Sequence, residues 1–236
     1  MNRIIITIVF LFNVLLNANA LSAAQTPNQV LNAVYQKLMK VNDYSVEANI
    51  RSDIPLIKIM PVNAKIYFKQ KDKFKVESKS IAILPKQSFT DFSKILKDTL
   101  SYMAVFAGTE IINSAKIQII NLIPNEDTGD LILAKLWIDT EKNLTIKSQL
   151  TTRSNGTMLV QYFYNKVTEK YGLPDSMVFT VDVKKFKIPK AVAADLNKSS
   201  KPDKKNDNKN KKGQIYIRFK NYQINKGIDD KVFTKK

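Results

Sequence analysis

Apolar and polar positions alternate with a period of two through most of residues 131–165. Ala134, Leu136 and Ile138 interleave with Lys135, Trp137 and Asp139, and Leu144, Ile146, Ser148 and Leu150 interleave with Thr145, Lys147, Gln149 and Thr151. Such alternation marks strands with one wet face. A polar connection at 140–143 joins the first two runs. Asn155-Gly156, a pair that accepts the positive φ angles of a tight hairpin, folds back a third run in which Met158, Val160, Tyr162 and Tyr164 share a side. The stretch therefore predicts an antiparallel meander with an apolar inner face. The same period recurs in 44–51, 62–69, 73–79, 115–122, 176–184 and 214–222, with Pro55 and Pro61 marking an irregular segment between the first two.

Two segments carry a helical period instead. Thr26-Pro27-Asn28-Gln29 has a hydroxyl cap, proline at the first helical position and Gln three residues on, which together make a capping box. Val30, Leu31, Val34, Leu38 and Val41 follow at helical spacing, and Asn42-Asp43 is the expected end. Between Pro85 and Gly108, Phe89, Phe92, Ile95, Leu96, Leu100, Met103 and Phe106 recur at three and four, predicting a long amphipathic helix that interrupts the strands. It either packs permanently on the sheet or lies over an apolar cavity as a lid.

The chain has 236 residues, 44% of them hydrophobic, enough for one domain with a sizeable core. Residues 1–24 read as an export signal: Arg3 gives a positive start, 4–16 an apolar run, and Ala18-Asn19-Ala20 or Ser22-Ala23-Ala24 a small-residue cleavage site. Cysteine is absent, which removes both disulfides and the lipidated Cys of a lipoprotein signal. The expected mature chain, 25–236, is thus a single soluble exported domain. Within it, 191–213 is too polar and Lys-rich to repay its ordering and is expected to be a disordered loop, with a basic clamp for acidic headgroups as the alternative.

The formal charge of +17 is compatible with an anionic partner, without choosing among membrane, lipid and nucleic acid. The Lys- and Tyr-rich hairpin 65–79 has the composition to bind single strands, but an exported chain does not meet them, so no nucleic acid partner is expected. With no histidine and no cysteine, the commonest general base, nitrogen ligand and thiol nucleophile are missing. No phosphate loop, nucleophile elbow or calcium loop is present, so no enzyme, metal or cofactor is expected.

Several pieces taken together resemble a known family. They are Asp43-Tyr44-Ser45-Val46 after the first helix, the hairpin Ala64-Lys65-Ile66-Tyr67-Phe68-Lys69 turning into Lys73-Phe74, Leu136-Trp137-Ile138-Asp139, Gly172-Leu173-Pro174, and Gly227-Ile228-Asp229-Asp230-Lys231-Val232-Phe233. Their order is similar to that of the periplasmic outer-membrane lipoprotein carriers, the LolA-like family, with LolB and LppX as relatives. The resemblance spans nearly all of the expected mature chain. It implies an α+β fold: an incomplete antiparallel β-barrel, or strongly curved sheet, with an N-terminal helix and a helical lid over an apolar cavity. Two features depart from the family pattern. The turn Lys69-Gln70-Lys71 lacks the arginine that latches the lid, and 81–87 is too short for the extra hairpin that precedes it.

The resemblance further implies a periplasmic monomer that holds acyl chains of lipoproteins or lipids, with an inner-membrane donor and an outer-membrane acceptor. The cavity wall would comprise Val46, Ala48, Ile66, Phe68, Phe74, Val76, Leu136, Ile138, Val160, Tyr162, Phe179, Val181, Ile217 and Phe219, and the lid Phe92, Leu96, Leu100 and Met103. By alternation alone these wall positions equally fill an ordinary core. A carrier, a non-transporting lipid-sensing module and a structural protein with a solid core are therefore the three functions in play.

Overall fold

The computed structural model describes residues 25–55, 60–71, 73–78, 95–126, 129–154, 156–182 and 212–234; the expected leader, Phe92 and most of the Lys-rich stretch lie outside them. The first helix, α1 (Pro27–Leu38), starts at the capping box: Gln29 N–H donates to Thr26 Oγ1 at 3.3 Å and Thr26 N–H to Gln29 Oε1 at 2.9 Å. It stops at Leu38, short of the expected Asn42, and Val41 is buried from beyond its end.

Ten strands follow: β1 (Asp43–Asp53), β2 (Val62–Lys69), β3 (Lys73–Ser78), β4 (Tyr102–Ile112), β5 (Ala115–Pro124), β6 (Leu131–Asp139), β7 (Leu144–Thr152), β8 (Gly156–Phe163), β9 (Ser176–Asp182) and β10 (Lys212–Ile224). They form one open, curved antiparallel sheet in the order β3-β2-β1-β10-β9-β8-β7-β6-β5-β4. Neighbouring strands are consecutive in the chain except where β1 pairs with β10, so β3 and β4 form opposite edges. β10 begins at Lys212, two residues inside the stretch expected to be disordered.

The helix expected between Pro85 and Gly108 is corrected in its second half. Residues 95–97 make a single helical turn, and the chain is extended from Tyr102 onward. The segment Tyr102-Met103-Ala104-Val105-Phe106 is apolar at every position, so it satisfies a period of two as well as a period near four. Pairing decides. Tyr102 to Ile112 zip against β5, with Asn113 and Ser114 at φ 49° and 67° as the two positive-φ residues of a hairpin turn. A helical lid presenting Leu96, Leu100 and Met103 together does not occur: Leu96 is buried on the helical turn, Leu100 is 88% exposed, and Met103 is exposed on β4.

Two β-bulges re-aim side chains that simple alternation misplaces. In β7, Trp137 pairs with Lys147 and Ile138 with Thr145, so Ile146 is the extra residue and packs outward beside Trp137, while Thr145 turns inward. In β10, Lys220 pairs with Glu47 but Gln223 with Ser45; Asn221, at φ 57°, absorbs the slip and sends Tyr222 to the concave face.

The concave face carries two buried clusters. Under α1, Val30, Leu31 and Val34 pack with Leu96, Tyr102, Ile120, Leu122, Leu136, Ile138 and Leu150. Across the other half of the sheet, Val46, Ala48, Ile66, Val160, Met177, Phe179, Ile215, Ile217 and Phe219 pack together. The outer face has a smaller patch in which Trp137, Ile117 and Ile119 are covered in part by Lys135 and Lys147, whose ammonium groups lie 4.9 and 4.0 Å from the indole centroid.

Candidate functional site

The two clusters do not meet at the end of the sheet where α1 finishes. Between them lies a cavity of about 790 Å³. Its helical wall is Val34, Tyr35, Leu38 and Met39; its sheet wall is Tyr44, Phe68, Leu144, Thr145, Tyr162, Met177 and Tyr222, with Tyr164 and the loop Gly172-Leu173-Pro174 alongside. Exposed Lys71, Lys97 and Asp98 complete the rim. Gly172 sits at φ 69°, where a side chain is strained, and a Cβ there would come within 3.1 Å of Leu38 Cδ2; glycine lets the loop close on the helix.

Tyr162, Tyr164 and Tyr222 line the cavity and direct their hydroxyls into the protein. Tyr164 Oη donates to the Thr145 carbonyl at 2.7 Å, Tyr222 Oη donates to the Pro174 carbonyl at 2.8 Å, and Tyr162 Oη is 2.9 Å from Ser148 Oγ. Tyr44 stacks on Phe68 with ring centroids 5.2 Å apart and meets Tyr222 edge-on at 5.8 Å. Burial raises the pKa of Tyr44, Tyr164 and Tyr222 above the ordinary phenol value and pushes Tyr162 up to about 12, an effect its contact with Ser148 opposes. These phenols stay neutral at any physiological pH, and with the hydroxyls of Tyr162, Tyr164 and Tyr222 hydrogen-bonded the wall offers apolar ring surface; the buried Thr145 Oγ1 beside them has no hydrogen-bond partner among the described residues.

The motifs that carry the family resemblance converge on this end of the molecule as fastenings. Buried Asp43 accepts from Lys226 N–H at 3.1 Å and Gly227 N–H at 3.1 Å, while Asn225 returns bonds to the Asn42 amide and the Lys40 carbonyl. Gln70, standing where the carriers have their latching arginine, donates through Nε2 to the carbonyls of Val41 at 3.0 Å and Met39 at 3.2 Å. It thereby ties the β2 turn to the segment after α1. Asp139 of the Leu-Trp-Ile-Asp run accepts from the amides of Glu141 and Lys142, closing the β6–β7 turn, and Lys37 donates to the Lys142 carbonyl.

Asp230 receives Lys69 at 2.7 Å and Lys73 at 2.6 Å, pinning the C-terminal turn to the β2–β3 hairpin. Hydrogen bonds from Lys69 and then Lys73 lower its carboxyl pKa from 3.8 to about 2. A depressed folded-state pKa means that the fastening is at full strength above the ordinary carboxylate range. It loosens as the pH falls through 3.8 toward about 2. The Asp230→Asn protein is expected to lose this acid-dependent step, and NMR shifts of residues 228–233 followed through an acid titration would read it.

The wall residues inferred from alternation divide between cavity and core. Phe68 and Tyr162 line the cavity. Val46, Ala48, Ile66, Val160, Phe179, Ile217 and Phe219 sit in the packed cluster, with Phe74 and Val76 half-buried against it, and Val181 is buried nearby. Leu136 and Ile138 lie beneath α1, as does Leu96 from the expected lid. The cavity's further residues are Tyr44, Tyr164 and Leu144, the α1 face Val34 and Leu38, and Thr145 and Tyr222, which the bulges bring in. Asn221 is the one sequence signal for Tyr222, since asparagine tolerates the left-handed conformation that a bulge needs. A larger cleft, about 1260 Å³, lies across the outer face of β3-β2-β1-β10-β9; its lining includes Glu47, Arg51, Lys65, Glu77, Arg218 and Lys220, a charged surface unsuited to an apolar guest.

No protein-family model matches the sequence, and no curated protein matches it. Solved structures do. A LolA superfamily protein from Nitrosomonas europaea matches with a TM-score of 0.57 at 14% identity, over 90% of this chain and 99% of that one. A domain from Vibrio parahaemolyticus described as an outer membrane lipoprotein-sorting protein matches with a TM-score of 0.55 at 9% identity, over 88% and 97%. A DUF1329 family protein from Desulfovibrio piger matches with a TM-score of 0.55 at 10% identity, over 89% and 98%. At these identities the likeness is one of architecture, and it extends over almost the whole of each relative: the chain has the LolA-like fold.

Proposed function

We propose that this protein is a lipid-binding carrier of the periplasm. It holds the acyl portion of a lipid or lipoprotein between α1 and the concave face, taking it from an inner-membrane donor and releasing it to an outer-membrane acceptor. The observation that carries the reading is the cavity of about 790 Å³, walled by aliphatic side chains and by tyrosine rings whose hydroxyls are turned away. The LolA-like fold, the lipoprotein-sorting description of one structural relative and the export pattern of residues 1–24 support it. No described helix is long and apolar enough to cross a membrane.

Solvent physics supplies the mechanism. Each methylene withdrawn from water contributes about 0.8 kcal/mol, so a chain of roughly 16 carbons costs on the order of 10 kcal/mol to carry naked. Val34, Leu38, Met39, Phe68 and the tyrosine rings replace that water. Lys71 and Lys97 at the rim leave the polar end of the guest in solvent beside cations. The reading is one of binding, which suits a wall whose buried phenols are held neutral.

Protein purified after export should carry acyl lipids detectable by mass spectrometry of an organic extract and should bind a fluorescent fatty acid. Leu38→Glu puts a carboxylate on the cavity wall that an entering chain would strip of water, and should weaken that binding at least about tenfold. Leu100→Glu, on a side chain 88% exposed, should leave it unchanged. An extract free of lipid together with no saturable probe binding would end the proposal. Release of a lipoprotein from inner-membrane vesicles tests the transport step separately.

A further inference from the structure

The walls of the cavity are fastened, so its size is fixed along with its chemistry. The C-terminal end of α1 is held from three sides. Lys37 donates to the Lys142 carbonyl, Gln70 Nε2 donates to the carbonyls of Met39 at 3.2 Å and Val41 at 3.0 Å, and Gly172 lets the loop before β9 lie against Leu38. Nearer its start, Val30, Leu31 and Val34 are buried against the sheet, so α1 does not lift away without opening that cluster. On the facing wall the hydroxyls of Tyr164 and Tyr222 are bonded to backbone carbonyls. A space bounded in this way limits what can enter it.

That limit converts into a number of carbons. An apolar cavity of about 150 Å³ holds one benzene, which is about 25 Å³ for each carbon. At that packing the 790 Å³ between α1 and the sheet takes about 32 carbons, or two chains of about 16. One such chain would fill half of the space and leave the aromatic wall facing void or water, forfeiting the contacts that burial provides. Three would need about 1200 Å³. The mouth beside Lys71, Lys97 and Asp98 is open to solvent, so the volume is a ceiling, and the chain ends next to the headgroup lie there.

We infer that the guest of this cavity is a lipid with two acyl chains. Given the lipid-binding reading above, on which this depends, a two-chain glycerolipid or the two-chain anchor of a lipoprotein fits, whereas a three-chain anchor leaves one chain in water. Both fitting sources present the same pair of chains to the walls.

Native mass spectrometry of the purified, delipidated protein counts the chains. Titration with hexadecanoate below its micellar concentration should load two per protein. Dihexadecanoyl phosphatidylglycerol and a lipopeptide with two hexadecanoyl chains should each load one, and the tighter of the two names the source. A lipopeptide with three hexadecanoyl chains should bind at least about tenfold more weakly than its two-chain counterpart in competition. Leu38→Trp, at a partly buried position on the wall, adds about six heavy atoms, or about 150 Å³ at the same packing, and should lower the hexadecanoate count from two to one. The counts on the unaltered protein decide the matter if that variant folds poorly. A single hexadecanoate per protein, exclusion of both two-chain ligands, equal binding of the two- and three-chain lipopeptides, or a folded Leu38→Trp protein that still takes two would overturn the inference and leave the carrier reading standing. Binding of none of these probes would end the carrier reading itself, and the two-chain guest with it.

Discussion

Leu96→Ala is expected to lower the unfolding free energy by about 2–5 kcal/mol, whereas Leu100→Ala four residues later should change it by less than about 0.5 kcal/mol. Leu96 is 1% exposed and sits among Val30, Leu31 and Val34 of α1 and Ile120, Leu122 and Leu136 of the sheet, so its truncation leaves a void at the seam joining helix to strands. Leu100 is 88% exposed, and its methyl groups have little to lose. On a continuous amphipathic helix the two would share a face and respond alike. Urea denaturation of both variants separates these cases: equal losses would restore the helix that the β4 pairing replaces.

Asp43→Ala should destabilise the protein by about 1–3 kcal/mol, mainly through the lost hydrogen bonds of a buried carboxylate. The Asp43 carboxylate is 6% exposed and receives the amides of Lys226 and Gly227, which close the C-terminal turn over the start of β1. Without it those two N–H groups, on exposed Lys226 and Gly227, turn to solvent, the turn is released, and Tyr44, next in the chain, loses the anchor that holds its ring on Phe68 and Tyr222. Asp43→Asn keeps one acceptor oxygen and should cost roughly half as much. Fluorescent fatty-acid binding by the Ala variant should weaken as well, because the aromatic wall is loosened from its base. A fully stable Asp43→Ala protein with unaltered binding would show that the fastening around the cavity does not depend on this carboxylate.

The strands outside 85–108 were legible because each has one face in water and one in the core, so burial wrote a period of two into the side chains: Val46, Ala48 and Ile50 point inward while Glu47 and Asn49 are exposed. The capping box of α1 was legible for a different reason, since it is a local pair of hydrogen bonds within four residues. β4 was misread because an all-apolar run contains no phase information. The cavity was legible only in part. Phe68 and Tyr162 of the inferred wall line it, while alternation put Thr145 outward and Ile146 inward, the reverse of what the β7 bulge does; and alternation says nothing about whether a facing side chain touches its neighbour or leaves a gap. Phe179 and Tyr162 occupy equivalent phases; one is packed in the core and the other walls the void.

The sequence alone determined the antiparallel run of strands, the capped first helix, and a surface dominated by cations, because period, capping and composition are properties of neighbours in the chain. The closure of β1 against β10, the two bulges that turn Tyr222 and Thr145 inward, and the length of α1 were decided by tertiary structure. Each depends on contacts between residues far apart in sequence, most plainly Asp43 with Gly227. The cavity exists because α1 covers one half of the concave face and the second, mostly aliphatic cluster fills the other, leaving between them a volume that no single segment encodes.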